Sequence, residues 1–261
     1  MADFLNLVRN ENMKIYRRVR TWIMLAITLM IPLFIAIGGL SLDDSPNMWF
    51  YSRVDIDVTS WLITTFAVVI AADIVAGEFS GGTIKLLLIR PWTRSKILLS
   101  KYIALLQFVL FFLASFFLFS LLVNALLLGA DDGTSILPAD GKWRNPFAWL
   151  AAVYGFNLIE IVVTVTMAFM ISSVFRSGSL AIGLSIFMLL GGYMLSGILS
   201  LVDKPWVDYI LFMNFGLAGY LNGITPIEGR PIGFSLAVLA GYYVCFIALS
   251  WFVFNRRDVA S

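Results

Sequence analysis

The chain contains no histidine, and this absence excludes several classes of enzyme. Without histidine there is no Ser-His-Asp hydrolase triad, no His-ligated zinc protease site and no haem held by a proximal histidine. The HExxH zinc signature, the CxxC pair and the glycine-rich GxxxxGK[ST] nucleotide loop are also missing. We therefore predict no catalytic, metal or cofactor site in the chain, and no nucleotide site of its own.

Cysteine and charge are scarce as well. The single cysteine, Cys245, lies in an apolar run and has no partner for an internal disulfide. Only 13% of the residues are charged and 60% are hydrophobic, whereas soluble domains are about 25% charged. Several apolar runs exceed the ~20 residues needed to cross a bilayer. We predict an all-α membrane protein, a single transmembrane domain over residues 1–261, with no cleavable signal peptide.

Six apolar segments are long enough to be membrane-spanning helices. The predicted spans cover about residues 22–40, 60–76, 102–128, 147–175, 179–200 and 233–254. This arrangement places thirteen of the 18 Lys and Arg residues on one side of the membrane, together with both termini. By the positive-inside rule that side is the cytoplasm. The net charge of +2 is explained by topology and indicates no nucleic-acid partner.

Two further segments are apolar without being long enough to span. Residues 1–20 are amphipathic and basic, which predicts an interfacial helix on the cytoplasmic leaflet; alternatively, these cations only orient the first span. Residues 201–231 are apolar but interrupted by polar residues and glycines, including Asp208 and Asn214. We predict a re-entrant or interfacial helix pair there, before the sixth span.

The loop between the second and third spans is both basic and apolar at helical spacing. Ile84, Leu87 and Leu88 fall on one face of a short predicted helix. Pro91 cannot continue that helix, and the next one is predicted to begin with an N-cap at Thr93 or Ser95. The loop therefore offers an apolar face at the membrane surface, suited to a soluble partner.

The same loop carries a motif that extends into the third span. Its members are Glu78, Gly82, Thr83, Leu87, Leu88, Pro91, Arg94, Leu98 and Lys101. The motif resembles the loop after the second span in permease subunits of type-2 ABC exporters (ABC2 family, type V exporter fold), which include bacitracin-resistance-like and peptide-exporting permeases. The resemblance also covers the basic N-terminal helix, the six spans, the long last outer loop and the short basic tail.

The resemblance implies the membrane-spanning subunit of an ATP-driven exporter. Such a subunit moves an amphipathic or hydrophobic substrate, such as a peptide, lipid or antibiotic, out of the cell. A separate cytoplasmic ABC ATPase subunit would bind ATP and Mg²⁺, and a second permease copy or a paralogue would complete the complex. The implied coupling helix is the loop 78–91, and the ATPase-coupling residues are Glu78, Phe79, Gly82, Thr83, Ile84, Leu87, Leu88, Pro91 and Arg94. The alternative is a plain structural loop.

Polar residues inside the spans give a second candidate site. Asn157, Glu160 and Thr164 recur at helical spacing and share one face of the fourth span. A charged side chain costs about 2.5–3.5 kcal/mol at the bilayer centre on insertion scales, so this face should turn inward. It then lines a translocation path or gate, or it only packs helices through a hydrogen bond. Asp73 is expected to pair with a basic residue of the cytoplasmic loop.

Two other functions remain open at this point. An intramembrane enzyme is disfavoured by the absence of histidine and because Asp73, Glu78 and Glu160 do not form a pair on one face. An ATPase-independent channel or sensor is the other alternative.

Overall fold

The computed structural model describes residues 2–43, 45–82, 92–129, 132–138, 141, 143–227 and 229–256. Within these ranges the fold is all-α, with no β-strand. The α-helices described are α1 (Ala2–Tyr16), α2 (Val19–Leu42), α3 (Met48–Ser80), α4 (Arg94–Leu128), α5 (Pro146–Val174), α6 (Gly178–Leu199) and α7 (Ile232–Arg256).

Six of these helices, α2 to α7, are long and apolar enough to cross a membrane. They contain between 22 and 35 residues, and a helix of ~20 residues covers the hydrocarbon core. The prediction of six membrane-spanning helices is therefore confirmed. The boundaries agree closely for α2, α5, α6 and α7.

The second predicted span begins too late, because α3 starts at Met48 rather than near residue 60. Asn47 caps this helix, with its side chain accepting from the N–H groups of Trp49 (2.8 Å) and Phe50 (3.3 Å). Arg53 and Asp57 form an i,i+4 ion pair at 2.7 Å on the added turns. The polar residues before position 60, which were not included in the predicted span, are thus helical. The side chains of Asn47, Arg53 and Asp57 have partners within the same segment.

The core of the bundle is built around α3 and α5. In an apolar 18-residue stretch of each helix, 50% of the residues are buried in α3 and 61% in α5, whereas only 11% are buried in α6 and in α7. Small, fully buried residues on α3, such as Ala72 and Ala76, allow the helices to approach closely. Large apolar side chains on α6 and α7 consequently remain on the outer surface.

The N-terminal helix α1 packs mainly against α4. Leu7, Val8 and Ile15 form its buried apolar face. The predicted helix included Val19, but α1 ends at Tyr16 and Val19 begins α2 with its side chain 72% exposed. The predicted N-terminal helix over residues 1–20 is therefore shorter than expected, and it contacts the bundle rather than standing apart.

The segment between α6 and α7, residues 200–231, differs from the predicted helix pair. Among its described residues it contains short 3-10 helices, Val207–Tyr209, Leu211–Asn214 and Leu217–Asn222, and no α-helix. Gly216 (φ +85°) and Gly223 (φ +73°) adopt left-handed backbone angles that stop regular helix on each side of the last one. These turns pack against α5 and α7.

The helix ends collect on two sides of the bundle, which we call the loop end and the far end. At the loop end, the start of α6 at Gly178 lies against Gly77 near the end of α3. Asn255 near the end of α7 bonds Ser95 at the start of α4 (3.2 Å). The far end carries the α2–α3 turn, the α4–α5 connection and the segment 200–231.

Ser172 joins the two central helices through their backbone. Its Oγ donates to the carbonyl oxygen of Ala72 (2.6 Å) and accepts from the N–H groups of Val75 (3.1 Å) and Ala76 (3.0 Å). All of these groups are buried. One side chain of α5 thereby inserts among the backbone hydrogen bonds of α3.

We expect Ser172→Ala to lower the free energy of unfolding by about 1–3 kcal/mol, since buried polar groups lose a partner. Thermal unfolding in detergent measures the change. Ser196→Ala is the matched control, because the Ser196 side chain is only half-buried and, among the described residues, bonds the carbonyl of Tyr193 in its own helix. Equal effects of the two substitutions would contradict the role assigned to Ser172.

Candidate functional site

Four charged side chains form a compact cluster at the loop end. The Lys101 Nζ lies 2.8 Å from Glu11 Oε2 and 2.7 Å from Glu78 Oε1. The Lys14 Nζ lies 2.7 Å from Glu11 Oε1 and 2.6 Å from Glu78 Oε1. Lys101 is 0% exposed and Glu11 2% exposed. Two positive and two negative charges therefore balance each other in a site largely removed from water.

Three helices contribute to this ionic cluster. Glu11 and Lys14 stand one turn apart on α1, Glu78 lies in the last turn of α3, and Lys101 lies two turns into α4. The loop that follows α3 leaves from Glu78 and returns into the helix that carries Lys101. The cluster thus joins both sides of the predicted coupling loop to the N-terminal helix.

The contacts within the cluster favour the charged forms of Glu11 and Lys14. Burial raises the pKa of Glu11, but the neighbouring ammonium groups of Lys101 and Lys14 outweigh it and leave that pKa below its usual range. Burial lowers the pKa of Lys14, but Glu78 and Glu11 outweigh it and leave that pKa above its usual range. Each charge stabilises its opposite neighbours, so loss of one partner leaves another charge buried and unpaired.

A second ion group lies beside the first. Asp73 of α3 accepts from Arg20 Nη2 (2.5 Å) and from Arg18 through the same carboxylate oxygen. Both arginines belong to the turn between α1 and α2 and the start of α2. Asp73 was expected to pair with the loop after the second span; its described partners come instead from the N-terminal part of the chain.

The other described coupling residues have separate roles. Phe79 packs against the apolar core, and Gly82 adopts a left-handed backbone angle (φ +68°) just after α3 ends. Arg94, in the first turn of α4, donates to the carbonyl oxygen of Asn255 (3.3 Å). The remaining residues predicted to couple lie outside the described part of the chain: Thr83, Ile84, Leu87, Leu88 and Pro91.

Glu160 lies on the half of α5 that faces the far-end segment. Its Oε1 accepts from the backbone N–H groups of Gly216 (2.9 Å) and Leu217 (2.7 Å). Asn157 donates to the carbonyl of Val153 (2.9 Å), and Thr164 donates to the carbonyl of Glu160 (2.8 Å). Of the three residues predicted as one polar face, only Glu160 therefore uses its side chain to bind another part of the fold.

Comparison with known proteins gives the chain a family. It belongs to the family described as "Protein of unknown function (DUF2705)". The match covers residues 23–260, which include nearly all of α2 and every later helix. The matched range therefore contains the six-helix bundle, apart from the first residues of α2, and does not include α1.

Two relatives come from Bacillus subtilis (strain 168). The chain is 38% identical over 227 residues to "Uncharacterized protein YhcI", covering 84% of this chain and 71% of that protein. It is 31% identical over 199 residues to "Uncharacterized membrane protein YdbK", covering 76% of this chain and 78% of that protein. The second name agrees with the membrane-embedded bundle of this DUF2705 protein.

Two features of the site were not found from the sequence. Glu11 reads as one more polar residue on α1, yet it is the central acceptor of the ionic cluster. Asp55 reads as part of an acidic outer loop, yet it is buried inside α3. The sequence did contain a signal for the buried Asp55. Ser120 and Asn124 are polar residues one turn apart in the apolar helix α4, and both bond Asp55.

Asp73, Glu78 and Glu160 are held apart from one another. Asp73 binds arginines and Glu78 binds lysines at the loop end, while Glu160 binds backbone amides of the far-end segment. Among the described residues no group of three or more His, Cys, Asp or Glu side chains is placed to hold a metal ion. The contacts of these three acids join different parts of the fold.

We expect Lys101→Met to lower the free energy of unfolding by about 3–5 kcal/mol, because Glu11 is left buried without its principal partner. Adding Glu11→Gln should recover part of this loss, since the unpaired charge is removed. Denaturation in mild detergent measures all three variants. A double variant no more stable than Lys101→Met alone would contradict direct coupling between the two side chains.

The same pair gives the cluster a pH dependence. The folded-state pKa of Glu11 lies below the ordinary value of about 4.3, so Glu11 contributes stability above that pH and loses it as the pH falls through the folded-state pKa. Melting temperatures between neutral and acid pH should therefore fall more steeply for the wild type than for Glu11→Gln. Parallel curves would count against the charged form of the cluster.

Glu160→Ala should loosen the segment 200–231 without unfolding the bundle. Hydrogen exchange at the Gly216 and Leu217 amides is expected to accelerate, because both lose their side-chain acceptor. Glu160→Gln, which keeps a neutral acceptor, should give an intermediate rate. Asn157→Ala is the control, since Asn157 bonds only its own helix; acceleration in that variant of the same size would contradict the assignment.

Proposed function

We propose that this chain is the membrane-spanning subunit of an ATP-driven exporter of the ABC2 type. It would move an amphipathic or hydrophobic substrate out of the cell, with ATP and Mg²⁺ bound by a separate cytoplasmic ABC ATPase subunit. The observation that carries the proposal is the ionic cluster, which joins the N-terminal helix to both sides of the loop between α3 and α4.

A membrane protein driven from the cytoplasm needs a contact that can transmit force. A loop held only by its two helix ends would bend under load. Here Glu78 and Lys101, which flank the loop, bind each other directly and share the partners Glu11 and Lys14. Because core and interior contacts transmit strain, a push on the loop would move α1, α3 and α4 together.

The charge distribution supports a cytoplasmic location for the loop end. Arg18 and Arg20 lie there beside Lys14 and Lys101, and Arg94 and Lys96 open α4. The positive-inside rule places such an end in the cytoplasm, and with six spans both termini lie on that side. The loop would then face the soluble compartment in which an ATPase is found.

The opposite end of the bundle would respond to the same movement. The carboxylate of Glu160 binds the segment 200–231 to α5, and α5 packs closely against α3. A shift of α3 relative to α5 would therefore reach the outer segment. The exposed apolar surfaces of α6 and α7 would lie against lipid and against a second copy of this chain or a paralogue.

The test replaces two residues of the predicted coupling helix. In the Leu87→Asp, Leu88→Asp double variant we expect the co-purifying ATPase to be lost, because two charges would enter the apolar face offered to it. Membrane insertion should be preserved. Affinity purification from native membranes, followed by mass spectrometry of the bound subunits and an ATP hydrolysis assay, measures the association.

The control is Leu201→Asp, Val202→Asp, which makes the same chemical change at the far end, where Leu201 is 85% exposed. This variant should retain the ATPase. Retention of the ATPase in both variants would contradict the coupling role of the loop. Export by the wild type with no ATPase recovered would contradict the proposal and favour the enzyme or channel alternatives.

A further inference from the structure

A carboxylate without exposed surface lies in the far half of the bundle. Asp55 of α3 is 0% exposed. Its Oδ2 accepts from Ser120 Oγ (2.5 Å) and from Asn124 Nδ2 (2.8 Å), both on α4. Its Oδ1 has no hydrogen-bond partner in the described ranges. Half of the carboxylate is therefore left without a donor in a site that water does not reach.

Two other buried oxygens are also unpaired in the described structure, one on Asn124, which bonds Asp55, and one on Thr59, which lies one turn from Asp55 on α3. Asn124 Oδ1 and Thr59 Oγ1 belong to residues with no exposed surface, and neither has a hydrogen-bond partner within the described part of the chain. The orientation of the Asn124 amide is fixed, because its Nδ2 donates to Ser52 Oγ (3.0 Å) as well as to Asp55. Its Oδ1 is thus an acceptor that lacks a donor.

Thr59 differs from most threonines in the spans. A helical threonine commonly donates to the carbonyl four residues earlier. That bond is made by Thr28, Thr64, Thr65, Thr164 and Thr166, whereas Thr21 donates to the carbonyl of Ile15. The Thr59 hydroxyl does not make it, although Asp55 stands at that position one turn away. The oxygen of Thr59 is consequently available on the same face of α3 as the carboxylate.

The described structure pairs Asp55 with no basic side chain. Asp57 and Arg53 form a pair with each other at 2.7 Å, and the Arg53 guanidinium lies over the Trp149 ring, 5.5 Å from its centroid. Among the described residues, no ion pair to Asp55 is formed. A buried carboxylate costs several kcal/mol unless it is paired or bound to a cation.

We propose that Asp55, Asn124 and Thr59 bind a small monovalent cation through Oδ1 of Asp55, Oδ1 of Asn124 and Oγ1 of Thr59. Carboxylate, amide and hydroxyl oxygens are ligands for hard cations, whereas soft metals select sulfur. A monovalent ion fits this site better than Ca²⁺, because a single carboxylate balances one positive charge and Ca²⁺ takes six to eight oxygens. The bound ion would cross-link α3 and α4. This inference does not depend on the proposed transport function.

A cleft opens at the same end of the bundle, and its lining includes Asp43, Asp57, Arg53 and Trp149. Asp57 is paired with Arg53 there, and Asp43 adds a further carboxylate. The residues Arg53, Asp55 and Asp57 follow one another on α3, so the cleft and the buried carboxylate share one helix.

Sodium is the probe for this site. The purified protein in nanodiscs is melted in NaCl and in choline chloride of equal ionic strength. At ten times the dissociation constant, Na⁺ should raise the melting temperature by about 3–6 °C. LiCl and KCl series rank the preference among small cations. Asp55→Asn should abolish the shift, and Asp57→Asn, which changes the neighbouring exposed carboxylate, should retain it.

A second variant keeps the test decisive if Asp55→Asn does not fold. Thr59→Val removes a hydroxyl that makes no hydrogen bond in the described structure, so it should fold normally and weaken Na⁺ binding at least about tenfold, or 1.4 kcal/mol. Infrared spectroscopy reports whether Asp55 is protonated. A protonated Asp55 together with a melting temperature independent of Na⁺, Li⁺ and K⁺ would overturn the cation site, as would a Na⁺ shift unchanged in Thr59→Val.

Discussion

A lysine with no exposed surface constrains the loop end of this protein. Lys101 is buried between Glu11 and Glu78, which reach it from two other helices, and a buried ammonium without such partners would be costly. These contacts hold the N-terminal helix against α4 and the last turn of α3 against both. The end of α3 and the first turns of α4, which flank the loop, are thereby held together. The far end also holds ion pairs, Arg53–Asp57 and Arg230–Asp208, but each of them includes a side chain that is 40% exposed or more.

Much of the fold was readable from the sequence, because hydropathy reports directly on burial in lipid. The six spans and the turn before Arg94, capped by Thr93, follow from composition, proline and capping chemistry. The start of α3 was misplaced because Arg53, Asp55 and Asp57 look like loop residues until their partners are known. Those partners lie in α4 or one turn away on the same helix, and sequence order does not reveal such contacts.

The candidate site was predictable in outline and not in detail. The motif located Glu78 and Lys101, but Glu11 is 90 positions from Lys101, and no local spacing links them. Glu160 was identified from the sequence as an acid inside a span. Its partners could not be predicted, because they are backbone N–H groups, which do not depend on the identity of the residue. Asn157 and Thr164, the other two residues of the predicted polar face, bond the backbone of their own helix. Helical spacing therefore predicted three residues that contact other parts of the fold, where the described structure has one.

The central claim is that α1 and the start of α4 move as one unit when an ATPase acts on the loop. Spin labels at the exposed residues Leu5 and Leu99, with a third at Leu201, test it in native membrane vesicles after Cys245→Ser. On adding ATP, the account predicts an unchanged distance between Leu5 and Leu99 and a changed distance between Leu99 and Leu201. A change between Leu5 and Leu99, or no response to ATP at either pair, would contradict it.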